Sequence, residues 1–146
     1  ILTNIIGANT KLTMEDAMRA AEMAGLTEDI ARMPMGMHTV VAEGAGTLSG
    51  GQKQRILIAR AIVHQPAILY LDEATSALDN KTQKKVSDSL SGLDCTRVVI
   101  AQRLSTVVNC DRIIVMENGR IVETGSYQEL MKRQGLFADL AKRQLA

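Results

Sequence analysis

Two adjacent carboxylates, Asp72 and Glu73, follow a short unbroken apolar run from Ile68 to Leu71. Such a run is typical of a strand buried on both faces, and open α/β sheets bind their ligands beyond the carboxyl ends of their strands. One carboxylate in that position can hold Mg²⁺ through its water shell, and the next can orient or deprotonate an attacking water. The alternative is a polar pair that closes a strand at a turn, and Asp-Glu alone favours that alternative.

A second feature, Ser49-Gly50-Gly51, lies directly before a helix that we predict from Ser49 to about His64. Free backbone N–H groups, a hydroxyl and the positive end of a helix dipole all favour an anion such as phosphate. Ser-Gly-Gly by itself is more often a flexible N-cap. Its combination with Asp72 and Glu73 favours the phosphate site.

The glycine-rich loop that usually surrounds nucleotide phosphates is missing from this sequence. That loop reads Gly-x-x-x-x-Gly-Lys-Ser/Thr, and the sequence has no Gly-Lys pair. The sequence therefore predicts half of a phosphate-handling site.

Composition excludes several other classes of protein. The chain has 146 residues, 46% of them hydrophobic, and a formal net charge of +1. These values are typical of one soluble globular domain and not of a dedicated nucleic-acid binder. No apolar run approaches the ~20 residues that span a bilayer. Because the first residue is Ile1 and not Met, we expect a piece of a longer protein.

Periodicity predicts an α/β sheet preceded by a mostly helical section. Thr13 with Asp16 and Ser126 with Glu129 have the spacing of capping boxes that begin helices. The remaining predictions are a strand end or first turn at Ile1–Ile6, a second buried strand at Arg97–Ala101, a hairpin turn at Glu117-Asn118-Gly119, and a helical tail from Leu136 to Leu145.

Five ordered motifs resemble those of ABC-type ATPases, over nearly the whole chain. They are the signature motif and its helix (Leu48–Gln52, with Gln54-Arg55 and Ala59-Arg60-Ala61), the Walker B strand (Ile68–Glu73), the D-loop (Ser76–Asp79), the H-loop region (Ile100–Thr106) and a following strand pair (Asp111–Gly125).

The resemblance implies a P-loop NTPase-like (RecA-like) fold with a partial parallel sheet and an N-terminal α-helical subdomain. Residues 1–64 would form the helical subdomain, which ends in the signature helix. Residues 65–146 would form the C-terminal part of the ATPase core. The Walker A loop, the aromatic residue that stacks on adenine and the Q-loop glutamine have no counterpart here.

ABC domains work as pairs, with each ATP held between the P-loop of one domain and the signature motif of the other. The resemblance implies Mg²⁺ and ATP as cofactors, with Asp72 holding Mg²⁺ through water and Glu73 as a catalytic residue. It also implies a nucleotide contact in trans through Leu48, Ser49, Gly50, Gly51 and Gln52, and a D-loop made of Ser76, Ala77, Leu78 and Asp79.

Two positions refine this interpretation. Gln102 stands where the family normally has the H-loop histidine, and its amide can donate a hydrogen bond but cannot carry charge. We therefore expect weakened hydrolysis, or alternatively a deliberately slow site in an asymmetric pair. Glu43 fits the acidic position of a loop that contacts the membrane domain in exporters, which favours an exporter.

The predicted function is ATP-driven export at the cytoplasmic face of a membrane. The partners implied are a second nucleotide-binding domain, identical or different, and a membrane-spanning domain, with no nucleic acid. For the chain alone we expect a soluble, inactive fragment that self-associates through an exposed sheet edge. The alternatives are a soluble ABC ATPase that acts on DNA or ribosomes, and an inert interaction or folding unit.

Overall fold

The structure is a computed structural model that describes residues 1–41, 48–74, 77–101 and 103–145. It is a mixed α/β fold, as predicted. Contacts group the chain into two compact units, Ile1–Val98 and Val99–Ala146. The division into subdomains between residues 64 and 65 stays a prediction.

The first described elements are helices, and a mixture of strands and helices follows them. They are α1 (Leu2–Ile6), α2 (Met14–Met23), α3 (Thr27–Ala31), a 3₁₀ turn (Gly36–His38), α4 (Gly50–Ile62), β1 (Ile68–Asp72), α5 (Asn80–Ser91), β2 (Thr96–Ile100), α6 (Leu104–Val107), β3 (Ile113–Glu117), β4 (Arg120–Gly125), α7 (Tyr127–Arg133) and α8 (Leu136–Leu145).

Helices α1 and α2 pack against α4 through small and branched apolar side chains. The predicted capping box is confirmed, because the Thr13 hydroxyl accepts from the Asp16 amide and the Asp16 carboxylate accepts from the Thr13 amide. Helix α2 buries three alanines, and Ala24 just after it is also buried; these small side chains allow close approach of the helices. The buried residues of the two longer helices are Ala17, Ala20 and Ala21 in α2 and Ile56, Ile58, Ala59 and Ile62 in α4.

Strands β1 and β2 form a small parallel sheet, joined by helix α5. At the beginning of both strands the amide of Thr96 donates to the carbonyl of Ala67 at 2.9 Å. Helix α5 buries Val86 and Leu90, which are four residues apart and so lie on one face of the helix. This strand–helix–strand unit places Asp72 at the carboxyl end of β1.

The predictions that β1 is buried on both faces and that β2 is a buried strand are wrong. In β1, Leu69 is buried, but Ile68 is 53% exposed and Tyr70 is 71% exposed. In β2, Val98 and Ile100 are also exposed. Within the described residues the sheet has two strands, and its buried side chains point to one face, so the apolar run reports strand propensity and not two-sided burial.

The segment Ile1–Ile6 was expected to be a strand end or a first turn, and it contains helix α1. Its isoleucines favour strands by propensity. Ile1 and Ile5, four residues apart, are both buried in the helical core. Tertiary packing therefore overrides the local β preference.

The described part of the second unit contains helix α6, the β-hairpin of β3 and β4, and helices α7 and α8. Asn118 and Gly119 at the turn of the hairpin both have positive φ, which confirms the predicted hairpin. The Ser126–Glu129 capping box that begins α7 and the helical tail α8 are also confirmed. The core of this unit consists of Ile113, Val115, Leu130, Phe137 and Ala141.

Among the described residues, no helix is long and apolar enough to cross a membrane. Cys95 and Cys110 are both half-buried.

Candidate functional site

The start of helix α4 is held by a reciprocal pair of hydrogen bonds. The Ser49 hydroxyl accepts from the Gln52 amide at 3.2 Å, and the Gln52 side-chain oxygen accepts from the Ser49 amide at 2.9 Å. Leu48 is buried and anchors the chain just before this turn. The amides of Gly50 and Gly51 lie in the first helical turn, where a helix offers no internal carbonyl partner. They are therefore available as donors to an anion.

The two glycines of this turn have different surroundings. A Cβ atom at Gly51 would lie 3.2 Å from the carbonyl oxygen of Ala77 and 3.5 Å from the Leu78 side chain. A Cβ atom at Gly50 would have no described atom within 4 Å. Gly51 thus permits close packing inside the chain, whereas the described residues leave space beside Gly50 for a ligand.

A charged pair and a hydrogen bond join the start of α4 to helix α3; we call the residues Leu48 to Gln52 the signature turn. One Asp29 oxygen accepts from the Gln52 side chain at 2.8 Å, and the other lies 2.7 Å from the Arg55 guanidinium. The Arg55 side chain is only 12% exposed and also donates to the carbonyls of Gly25 and Gly51. Asp29 and Arg55 were missed as positioning residues, since residues that far apart in the sequence have no local signal.

The two predicted carboxylates lie at the end of β1, and both are exposed. Asp72 is the last residue of the strand. Glu73 has a φ of +45°, a left-handed conformation that is uncommon for a residue with a side chain. Within the described ranges no group of three or more acidic, histidine or cysteine side chains is arranged for a metal ion.

The described part of the predicted D-loop, Ala77 to Asp79, contacts helix α4. Its last residue is the N-cap of helix α5. Leu78 is buried beside Gly51. One Asp79 oxygen accepts from the amides of Lys81 and Thr82 at 3.1 and 3.0 Å and so caps α5. These hydrogen bonds, the one from Thr82 first, hold the pKa of Asp79 below its usual value.

Gln54 joins the signature helix to both of these regions. Its side-chain nitrogen donates to the carbonyl of Glu73 at 3.1 Å, and its side-chain oxygen accepts from the amide of Ala77 at 3.0 Å. The structure thus brings the start of α4, the end of β1 and the beginning of the D-loop together. The sequence showed Gln54 only as part of a motif and gave it no separate role.

Three predicted site residues lie outside the described residues: Glu43, Ser76 and Gln102. Their roles as the coupling-loop acid, the D-loop serine and the H-loop residue therefore stay predictions. The roles of the described site residues, Leu48 to Gln52, Asp72, Glu73 and Ala77 to Asp79, also stay predictions, although the structure places these residues close together in one unit.

The fold, a parallel strand pair with carboxylates beyond one strand and a glycine turn before a helix, is that of a P-loop NTPase-type domain. The family model described as ABC transporter matches residues 4–76, and the chain belongs to this family. Membership implies ATP binding with Mg²⁺.

Individual relatives agree with this family. The chain is 46% identical over 136 residues to an ATP-dependent lipid A-core flippase of Idiomarina loihiensis, an alignment that covers 92% of the chain and 23% of the flippase. It is 46% identical over 146 residues to the human mitochondrial potassium channel ATP-binding subunit, covering 99% of the chain and 20% of that subunit. The chain therefore spans about a fifth of the length of these curated relatives.

A solved structure supports the fold in more detail. The structure of a bacterial Atm1-family ABC exporter with ATP bound matches with a TM-score of 0.93 and 39% sequence identity. The match covers 99% of this chain and 26% of the exporter chain. The predicted family, including its exporter type, is confirmed.

Proposed function

We propose that the chain supplies part of the ATP-binding unit of an ABC exporter. The observation that carries this proposal is the start of α4, where the first-turn amides of Gly50 and Gly51 lie beside open space while Ser49 and Gln52 hold the turn. Such a turn stabilises a phosphate through backbone donors and the helix dipole. The phosphate would belong to ATP whose other half is held by the P-loop of a second nucleotide-binding domain.

The carboxylates serve the chain's own half of the paired site. Mg²⁺ in such sites is bound through one or two carboxylates, with phosphate oxygens and water completing the shell. Asp72, an exposed carboxylate at a strand end, fits that role, and Mg²⁺ would neutralise phosphate charge during hydrolysis. Glu73, the next residue, orients or deprotonates the attacking water.

The residues outside the described ranges complete the proposal. Gln102 would contact the γ-phosphate as a neutral amide, so we expect slower hydrolysis than a histidine supports. Glu43 would contact the membrane-spanning domain. The names of two relatives, a flippase and an exporter, favour transport over a soluble ATPase.

For the chain alone we expect no ATPase activity and weak or no binding of ATP, because a P-loop and its lysine supply most of the grip on phosphates. We also expect self-association through a sheet edge, since the sheet has only two strands within the described residues and Ile68 and Tyr70 of β1 are exposed apolar side chains. The proposed location is the cytoplasmic face of a membrane, next to the membrane-spanning partner.

The test compares Glu73→Gln with Glu117→Gln, which changes an exposed hairpin glutamate in the same way. In the intact exporter, Glu73→Gln should lower ATP hydrolysis by roughly 10²- to 10⁴-fold, the contribution of a general base. It should leave ATP binding unchanged, and Glu117→Gln should change neither.

Titration calorimetry of the chain alone with Mg²⁺-ATP should give no saturable heat. Saturable binding would show that another group holds the phosphates, and the proposal of half a site would be wrong. Normal hydrolysis by the Glu73→Gln exporter would contradict the role given to Glu73.

A further inference from the structure

The Gln54 side chain is held in one orientation by two backbone groups of opposite character. The carbonyl of Glu73 needs a donor and receives one from the Gln54 side-chain nitrogen at 3.1 Å. The amide of Ala77 needs an acceptor and finds the Gln54 side-chain oxygen at 3.0 Å. Rotating the amide group by half a turn would break both bonds, so only one orientation of the side-chain amide makes the contact.

The backbone that Gln54 holds is not in a relaxed conformation. Glu73 has a φ of +45°, and a residue with a side chain keeps such a conformation only where its surroundings enforce it. Gln54 bonds the carbonyl of that same residue. The backbone that carries the Glu73 carboxylate is therefore held in part by a contact from another element, helix α4.

A second contact fixes the same helix to the same backbone. Gly51 lies one turn before Gln54 and on the same face of α4, and its missing side chain leaves the Ala77 carbonyl oxygen close to the helix. Ala77 thus meets α4 twice, through its carbonyl beside Gly51 and through its amide on Gln54. The signature turn and the D-loop are joined at this residue.

We propose that Gln54 is a positioning residue for ATP hydrolysis. It fixes the backbone of Glu73 and of Ala77 against α4. The orientation of the start of α4, which faces one ATP, thereby sets the position of the carboxylate that serves the other. This inference rests on the proposed function. In this proposal Gln54 acts through the backbone of Glu73 and Ala77.

The experiment uses two substitutions that remove different halves of the contact. Gln54→Ala removes both hydrogen bonds. Gln54→Glu has nearly the same shape and keeps an acceptor for the Ala77 amide, but it places an oxygen opposite the Glu73 carbonyl. Lys53→Ala is the matched control, because Lys53 is the exposed neighbour of Gln54 on the same helix.

The first measurement is hydrogen exchange at the Ala77 amide, followed by NMR on the purified chain. Gln54→Ala should speed exchange about fivefold or more, the equivalent of one neutral hydrogen bond. Gln54→Glu and Lys53→Ala should keep the protection of the wild-type amide. Equal exchange in Gln54→Ala and the wild type would overturn the proposal.

The second measurement is ATP hydrolysis by the intact exporter. Both Gln54 variants should lower kcat by roughly 10- to 100-fold, as expected when a catalytic group is displaced by up to about an ångström. The KM for ATP should stay near its wild-type value, and Lys53→Ala should change neither constant. Unchanged kcat despite faster exchange at Ala77 would show a merely structural contact and would overturn the positioning role.

The two measurements separate this inference from the function on which it rests. A wild-type exporter that does not hydrolyse ATP would refute the proposed function. The exchange experiment would then still decide whether Gln54 holds the backbone of Ala77.

Discussion

Helices α4 and α8 both begin beside a glycine, yet their first amides meet different partners. At α8, the Glu123 carboxylate accepts from the amides of Leu136 and Phe137 at 2.8 and 3.1 Å. A Cβ atom at Gly135 would lie 1.9 Å from a Glu123 oxygen. At α4, no described atom lies within 4 Å of a Cβ atom placed on Gly50.

This difference separates a helix start that is capped within the chain from the one that we propose binds phosphate. The partial positive charge of a helix N-terminus favours an anion in both cases. In α8 the chain supplies that anion itself, from strand β4. In α4 the internal cap satisfies only the amides of Ser49 and Gln52, and the open space beside Gly50 leaves room for an external phosphate.

The largest loss of stability is expected when the Glu123 carboxylate at the start of α8 is removed. Glu123→Ala deletes the acceptor for two amides of α8, and each hydrogen bond to a charged group contributes about 1.5–3 kcal/mol. Because the site is only half-buried, we expect a loss of about 2–3 kcal/mol in the free energy of unfolding. Denaturant titration measures it.

Two controls make this result specific. Glu123→Gln keeps a neutral acceptor and should cost less than Glu123→Ala. Glu117→Ala changes an exposed hairpin residue and should stay within about 0.5 kcal/mol of the wild type. If Glu123→Ala were no worse than Glu117→Ala, the carboxylate would not hold α8, and the comparison with α4 would fail.

Substitutions of the two glycines of α4 should change the free energy of unfolding less, but they test the proposed function more directly. Gly51→Ala brings a Cβ atom to 3.2 Å from the Ala77 carbonyl oxygen, whereas Gly50→Ala meets open space. Alanine is otherwise the better helix former, so we expect Gly50→Ala to be more stable than Gly51→Ala by about 1 kcal/mol. Unfolding of the two variants in parallel measures this difference.

The same pair tests what occupies the open space. In the intact exporter, Gly50→Ala should reduce ATP hydrolysis although it leaves the chain stable, because the added methyl group takes up room that we assign to the phosphate. A stable Gly50→Ala variant with normal hydrolysis would mean that no ligand approaches Gly50 closely.

The sequence predicted the features that depend on neighbours three or four residues apart. The capping boxes at Thr13 and Ser126 and the Asn118-Gly119 turn are local patterns, and the structure confirms them. Ordered motifs also predicted the family and the α/β fold. The capping and turn signals are strong because each is a short pattern whose physical role does not depend on distant residues, and the motifs are strong because five of them occur in order.

Contacts between distant residues could not be predicted in this way. Nothing near Asp29 indicates its ion pair with Arg55, and nothing near Gln54 indicates its bonds to Glu73 and Ala77. The exposure of Tyr70 was missed for a related reason, because an apolar run reports a strand but not what covers each face. The hydrogen bond from the Leu136 amide of α8 to Glu123 likewise joins residues that only the fold brings together.

Helix α5 is a third case, in which the residue just before the helix supplies the anion. The Asp79 carboxylate accepts from the amides of Thr82 and Lys81, and these bonds lower its pKa. A carboxyl whose pKa is lower in the folded than in the unfolded chain stabilises the fold above the unfolded value, and this stabilisation is lost as pH falls through the folded value.

Asp79→Asn should therefore remove a pH dependence while keeping the cap, since asparagine is an equally good N-cap residue. From about pH 7 to about pH 3, which brackets the ordinary pKa of aspartate, the wild type should lose more of its unfolding free energy than the variant. Because the carboxylate is exposed, the difference should be small and should shrink further with added salt. Equal acid sensitivity of the two proteins would show that the Asp79 charge adds nothing to this helix start. A negative charge would then stabilise a helix start only at a more buried position, such as that of Glu123.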